Sequence, residues 1–317
     1  MTSALPIHCF APRLLGPVPA TLAKASETAG PFPNLTELVF RAQRKALPGN
    51  SLEALIAQQY PDAPAPGPLI AASDGQARVG ICYRAAPVHL RADRDRLLLF
   101  AGEGLCLTTA QSEQIKTAFN SLFSADGLVL EFINGEGLLT AKRRPGPDLP
   151  ALSKVAGEYL DIALPTEPAS RAWRQLLNEV QMLLHEHPVN RERTAAGELV
   201  VNGLWFWGGG EAPRGDQLSL PDDPEAAPLV SSLPASASVR VFDQAEKALL
   251  GGDVGAWLAA LESFETHQAA ELLNAIRHEQ RSVLLMPGNG WAYRTGPMTR
   301  WRFWLRRKPL SAAIALQ

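Results

Sequence analysis

The sequence predicts an α/β protein carrying a smaller α+β module, and three observations lead there. Strand-length apolar runs at 239–242 and 283–286 are separated by segments of helical periodicity, which suits layered helices and strands better than a bundle. A long amphipathic pattern over 171–185 runs into a His-Pro-Val-Asn-Arg turn and then an apolar strand that ends in Gly208-Gly209-Gly210. Residues 76–169 gather short strands, one helix and a hairpin. No internal repeat is visible.

Taken in order, residues 1–75 form a Pro/Ala-rich helical region of the core, with helices expected at 34–46 and 50–60. Pro33-Asn34 and Asn50-Ser51 supply their start signals, and Pro48-Gly49 stops the first. The proline run from Tyr60 to Pro68 reads as a boundary or a surface loop. The α+β module, 76–169, opens with short strands at 79–83, 88–91 and 96–100, broken by Ala-Pro and a charged turn. Thr108 or Thr109 then caps a helix to Phe123, and Asn134-Gly135 joins 128–133 to 138–142 as a hairpin.

Residues 170–317 complete the α/β core with the His-Pro-Val-Asn and glycine segments. Ser170 could cap helix 171–185, whose apolar face is Trp173, Leu176, Leu177, Val180, Leu183 and Leu184. A Pro/Asp/Ser-rich loop over 211–237 follows. Asp243 and Asp253 cap two further helices, another runs near 267–279, and strands at 283–286 and 291–293 close the chain around Pro287-Gly-Asn-Gly290.

Composition narrows the function classes. The 317 residues allow one large domain or two ordinary ones, and a 46% hydrophobic share can bury a real core. A net charge of −2 gives no bulk attraction to nucleic acid or anionic membrane, so neither partner is expected. Cys9, Cys82 and Cys106 are isolated, which fits free thiols in a reducing cytoplasm. No signal peptide pattern and no membrane-length apolar run occur, so a soluble cytoplasmic protein is expected.

The chemistry-bearing residues cluster at the helix break. His185, His187, Asn190, Arg191 and Arg193 would converge there, arginine forks matching phosphate or carboxylate and histidine acting as donor or base. Arg171, Arg174, Asn178, Gln181 and His185 read at least as well as the solvated face of an amphipathic helix, with Asn190 as a plain N-cap. His185 and His187 diverge by about 200° on a helix, so no metal is expected there. Gly208, Gly209 and Gly210 could offer amide N–H groups to an anion, with Arg214 nearby, or simply turn the chain into a loop. His89 and Arg91 share one face of a strand and could complete an anion site, or be the wet side of a sheet. The stretch Trp301 to Lys308 mixes aromatics with basic residues, best read as arginine stacked on tryptophan. No serine-hydrolase elbow or phosphate-binding glycine fingerprint is present.

His187-Pro188-Val189-Asn190-Arg191-x-Arg193, followed by Gly197, Asn202 and the glycine triplet, resembles a segment of the archaeal-type cofactor-independent phosphoglycerate mutases. A wider pattern, including 87–96, 178–190 and 204–210, resembles the RpfE-type regulatory proteins of bacteria, often described as phosphoglycerate-mutase-like. The resemblance implies a degenerate core of the alkaline phosphatase type and a pocket for a phosphorylated acid near His187, Asn190 and Arg191. Such mutases need a serine nucleophile and two metals held by Asp and His, and this chain lacks the matching Asp-Gly start and Asp/His cluster. The expectation is therefore a non-catalytic regulatory protein without a cofactor. It would bind an anionic metabolite through His187, Asn190, Arg191, Arg193, Asn202, Gly208, Gly209, Gly210, His89 and Arg91. A divergent metal-dependent mutase or phosphatase, and a protein-interaction module anchored by Trp205, Trp207, Trp301 and Trp304, stand as alternatives.

Overall fold

Ile7–Phe10 is a strand (β1) with every residue buried, in a region where the sequence promises only helices. Four apolar or aromatic residues buried on both faces carry no alternation, so periodicity cannot announce them. The computed structural model describes residues 5–166, 168–214, 228–231, 233, 236–301 and 308–316. They fall into two compact units, one made of 1–62 with 234–317 and the other of 63–233. The mixed α/β class expected from the sequence holds, but the division differs: helix 171–185 and the glycine segment lie in the second unit, not with the C-terminal strands.

In the first unit β1 is followed by helices α1 (Ala20–Ala29) and α2 (Pro33–Phe40), strand β2 (Gln43–Ala46) and helix α3 (Leu52–Gln59). The helix expected over 34–46 thus stops at Phe40, and its basic tail becomes an edge strand. Pro33 opens α2, yet no local side chain caps it. Instead the Glu265 carboxylate accepts the backbone N–H groups of Asn34 and Leu35, each at 2.8 Å. Ser51 caps α3 as expected.

The proline run read as a boundary or a surface loop does contain the division between the units, at 62/63. In place of loop, the second unit opens with α4 (Pro66–Ala72), a helix buried from Gly67 onward; Pro66 sits in its first turn, where no N–H is needed. The strand segments at 79–83 and 88–91 are one strand, β3 (Ile81–Asp93), continuous through Pro87, and β4 (Arg96–Phe100) pairs with its end. Helix α5 (Thr109–Phe123) carries the capping box between Thr108 and Gln111. The hairpin β5 (Leu128–Ile133) and β6 (Glu136–Ala141) turns on Asn134 and Gly135, both at positive φ. Two short helices, α6 (Leu152–Val155) and α7 (Leu160–Ala163), precede α8 (Arg171–His185) and α9 (Pro188–Ala195). Ser170 does not cap α8; its hydroxyl accepts from Arg174 instead. Strand β7 (Gly203–Glu211) then lies antiparallel to β3, and a short helix α10 (Pro228–Ser231) follows. The strand order is β4-β3-β6-β5 with β7 added to β3.

The chain returns to the first unit with β8 (Ser238–Val241) and helices α11 (Gln244–Leu250), α12 (Val254–Ser263) and α13 (Ala270–Arg277). Asp253 caps α12, whereas Asp243 pairs with Lys247 at 3.0 Å rather than capping α11. A π-helical turn over Phe264–Ala269 fuses α12 to α13, so the separate helix expected near 267–279 is the end of one long helix. That turn places Glu265 inward, where it caps α2. β9 (Val283–Met286) and β10 (Trp291–Thr295) complete the order β2-β10-β9-β1-β8, with β1 parallel to both β8 and β9. A strap over 308–316 clips onto this unit: Ala315 donates to Leu15 O and Val18 donates to Ala315 O.

The loop expected over 211–237 falls largely outside the described residues, as do Trp304 and most of the basic aromatic stretch. No helix among the described residues is long and apolar enough to cross a membrane. The three cysteines are free thiols, and burial pushes that of Cys9 up to about 12.

Candidate functional site

The break between α8 and α9 is built by Pro188, which starts α9, and by His187, whose Nδ1 accepts the Val189 N–H at 3.3 Å. Burial holds the His187 imidazole below its usual pKa, partly opposed by Glu192. A neutral ring is what this cap requires, because a protonated Nδ1 could not accept.

Asn190 is buried and spends its whole amide on the chain. Nδ2 donates to Leu184 O at 2.7 Å and Val201 O at 2.8 Å, and Oδ1 accepts from Val201 N at 2.8 Å. Arg193 is 2% exposed, and its guanidinium donates to Leu199 O, Cys106 O, Gly104 O and Gln111 Oε1 at 2.6–3.1 Å, with Glu198 at 3.3 Å. Asn202 pairs with the Leu90 backbone through both amide atoms, Oδ1 accepting at 2.6 Å and Nδ2 donating at 2.8 Å. These three residues were expected to face a ligand. They stitch α9 and the start of β7 to the sheet instead, because a buried backbone group without a partner is costly and these side chains supply it.

His89 and Arg91 flank one ring. His89 lies 6.2 Å from Phe100 and Arg91 sits over it at 4.5 Å, while His89 Nδ1 donates to Val200 O at 2.9 Å.

The glycine triplet is not a flexible tip. It lies inside β7, where Cys82 opposes Gly210 and Arg84 opposes Trp207, so Tyr83 faces both Gly208 and Gly209 in a bulge. Gly208 has φ +64, and a Cβ there would meet the Pro66 ring at 2.9 Å. A Cβ on Gly209 would lie 2.2 Å from the Tyr83 ring, and one on Gly210 2.7 Å from Pro68. The glycines admit α4 and Tyr83 against the strand. Asn202 and Gly208 stand about 20 Å apart at strand rise. The expected meeting of the polar elbow and the glycines therefore does not occur. Trp205 and Trp207 are buried in the unit's core and are not partner-facing.

What the elbow does offer is a cavity of about 670 Å³ lined by His185, Asn190, Arg191, Thr194, Val200 and Asn202. Of the ten expected contacts only Asn190, Arg191 and Asn202 reach it. Arg191 is exposed and donates through one nitrogen to Glu186 O at 3.1 Å. His185 ends α8, is exposed, and also borders a neighbouring hollow with Asn178, Gln181 and Met182. Thr194, absent from the expectation, was legible as the residue one helical turn beyond Asn190, and its hydroxyl donates to Asn190 O at 2.7 Å. The groove thus presents a guanidinium and an imidazole, a pair suited to holding an anion, while the Thr194 hydroxyl spends its proton on the Asn190 carbonyl. Among the described residues no group of three or more His, Cys, Asp or Glu could hold a metal ion.

No family model matches the chain. A 153-residue stretch, 46% of the chain, is 26% identical to a probable 2,3-bisphosphoglycerate-independent phosphoglycerate mutase of Geobacter sulfurreducens and covers 38% of it. A 60-residue stretch, 19% of the chain, is 33% identical to the 2,3-bisphosphoglycerate-independent phosphoglycerate mutase of Methanosarcina mazei and covers 15% of it. The matched stretches thus span well under half of these curated relatives. Among solved structures, a cofactor-independent phosphoglycerate mutase from Thermoplasma acidophilum aligns over 98% of this chain and 94% of its own, at 18% identity and a TM-score of 0.38. The PH0037 protein from Pyrococcus horikoshii aligns over 92% and 87%, at 13% identity and a TM-score of 0.46. Over part of its length, then, the chain is related in sequence to the cofactor-independent phosphoglycerate mutases.

Proposed function

We propose that this is a non-catalytic, RpfE-type regulatory relative of those mutases, with a core of the alkaline phosphatase type. In this reading it binds an anionic phosphorylated or carboxylate metabolite at the α8–α9 groove and does not transfer its phosphoryl group. The observation that carries this reading is the division of labour at the elbow. Asn190, Arg193 and Asn202 hold the backbone around the groove, so Arg191 and His185 are presented from a rigid frame. Three residues of the mutase-like motif thereby serve as scaffold, while the cation that remains exposed lines the cavity.

Calorimetry with 3-phosphoglycerate, 2-phosphoglycerate and inorganic phosphate tests it. Saturable binding that weakens about tenfold in Arg191→Ala, with unchanged unfolding, is the expected result. No heat with any of them refutes ligand binding here. Turnover in a coupled mutase assay with Mn²⁺ refutes the non-catalytic half.

A further inference from the structure

A second cavity, of about 690 Å³, lies in the first unit beside β2, β10 and the C-terminal strap. That size suits a small organic ligand. One wall is apolar, made by Val39 and Phe40 at the end of α2 and by Ile314 of the strap. The other carries Arg44, Tyr293 and Lys308, and among the described residues no acidic one lines the cavity.

The polar wall has surplus donors. Tyr293 opposes Arg44 directly in the β2–β10 ladder, which brings their Cβ atoms to about 5 Å. The Arg44 guanidinium is steadied over the Trp291 ring at 5.0 Å, and both residues line the cavity. Tyr293 is 4% exposed, and its hydroxyl accepts from Asn289 Nδ2 at 2.9 Å. Asn289 spends the same nitrogen on Ala313 O at 2.7 Å and its Oδ1 on the Trp291 N–H at 3.3 Å. Among the described residues nothing accepts the Tyr293 hydroxyl proton. A hydroxyl donor beside two cations, with no acid among the described lining residues, makes a wall suited to an anion.

We propose that this cavity binds an amphiphilic monocarboxylate, with the carboxylate on Arg44, Lys308 and the Tyr293 hydroxyl and the apolar body against Val39, Phe40 and Ile314. A planar carboxylate matches the arginine fork. A compact phosphorylated acid has nothing to bury against the apolar wall, so this ligand class differs from that of the elbow groove, and the site stands independently of it.

Titration of the full chain with decanoate, decan-1-ol and decyltrimethylammonium tests the assignment. Decanoate should bind saturably and about tenfold or more tighter than decan-1-ol, with the cation weaker still. Raising the salt should weaken decanoate and leave decan-1-ol unchanged. Arg44→Gln combined with Lys308→Gln, both exposed positions, should cost decanoate about tenfold with no shift in the melting curve, and Tyr293→Phe about threefold or more. Equal binding of the three amphiphiles, salt-insensitive binding, an unaltered double variant, or no decanoate binding into the millimolar range would each overturn the proposal.

Discussion

At the scale of single residues, adjacent members of one motif do opposite things, and substitution should separate them. Asn190→Ala strands the carbonyls of Leu184 and Val201 and the N–H of Val201, and should cost about 2–4 kcal/mol in urea unfolding. Arg191→Ala, one residue on, should stay within about 0.5 kcal/mol. Gly209→Ala drives a methyl into the Tyr83 ring and should destabilise by about 1–3 kcal/mol. His187 sets a pH dependence whose sign follows from its lowered pKa. Below its unfolded value near 6.5 the unfolded state binds the proton first, so stability is full above that pH and falls as pH drops through the folded pKa. His187→Asn keeps a cap without a titrating group. The variant should lose less stability between pH 8 and pH 5 than the parent, by a margin that solvent screening of the half-buried ring keeps small. Identical pH profiles would show that the cap does not depend on a neutral imidazole. His8, buried against Tyr60 and also lowered by burial, shifts in the same sense in both proteins and cancels from the comparison.

At the scale of elements, what could be read from sequence was whatever a local pattern encodes. Thr108 with Gln111, Asn134 with Gly135, and the apolar face of α8 are short-range signals, and each element appears where they place it. β1, α4 and the end of α2 depend on distant partners. Ile7–Phe10 is a strand because β8 and β9 flank it, and Pro66–Ala72 is a helix because the glycines of β7 leave room for it. The site was hidden for the same reason. Asn190, Arg193 and Asn202 look like ligand contacts by residue type, and only the backbone groups folded around them show otherwise. The cap of α2 is the sharpest case, since its acceptor lies 231 positions from Asn34. Glu265→Ala should therefore cost about 2 kcal/mol, while Glu265→Gln should retain part of it through one remaining acceptor oxygen. Equal losses would mean that Glu265 acts only by filling space.

At the scale of the whole molecule, the two buried cores share no residue. One draws on 7–39 and 242–314, the other on 81–207. The two units therefore differ in how they must form. Everything the second needs is contiguous in the chain, and its sheet is closed by antiparallel neighbours. The first needs β1 inserted between β8 and β9, more than 220 residues downstream of Ile7, so this interior strand has no partner until those distant segments are available. Residues 63–233 expressed alone should accordingly give a protein with one cooperative urea transition and near-UV dichroism from the buried Trp173 and Trp205. Residues 1–62 alone should show neither, since β1 would expose both apolar faces without a ladder on either side. A 63–233 fragment that keeps far-UV helicity while losing the near-UV signal and cooperativity would mean that the second core, although contiguous, is not self-sufficient.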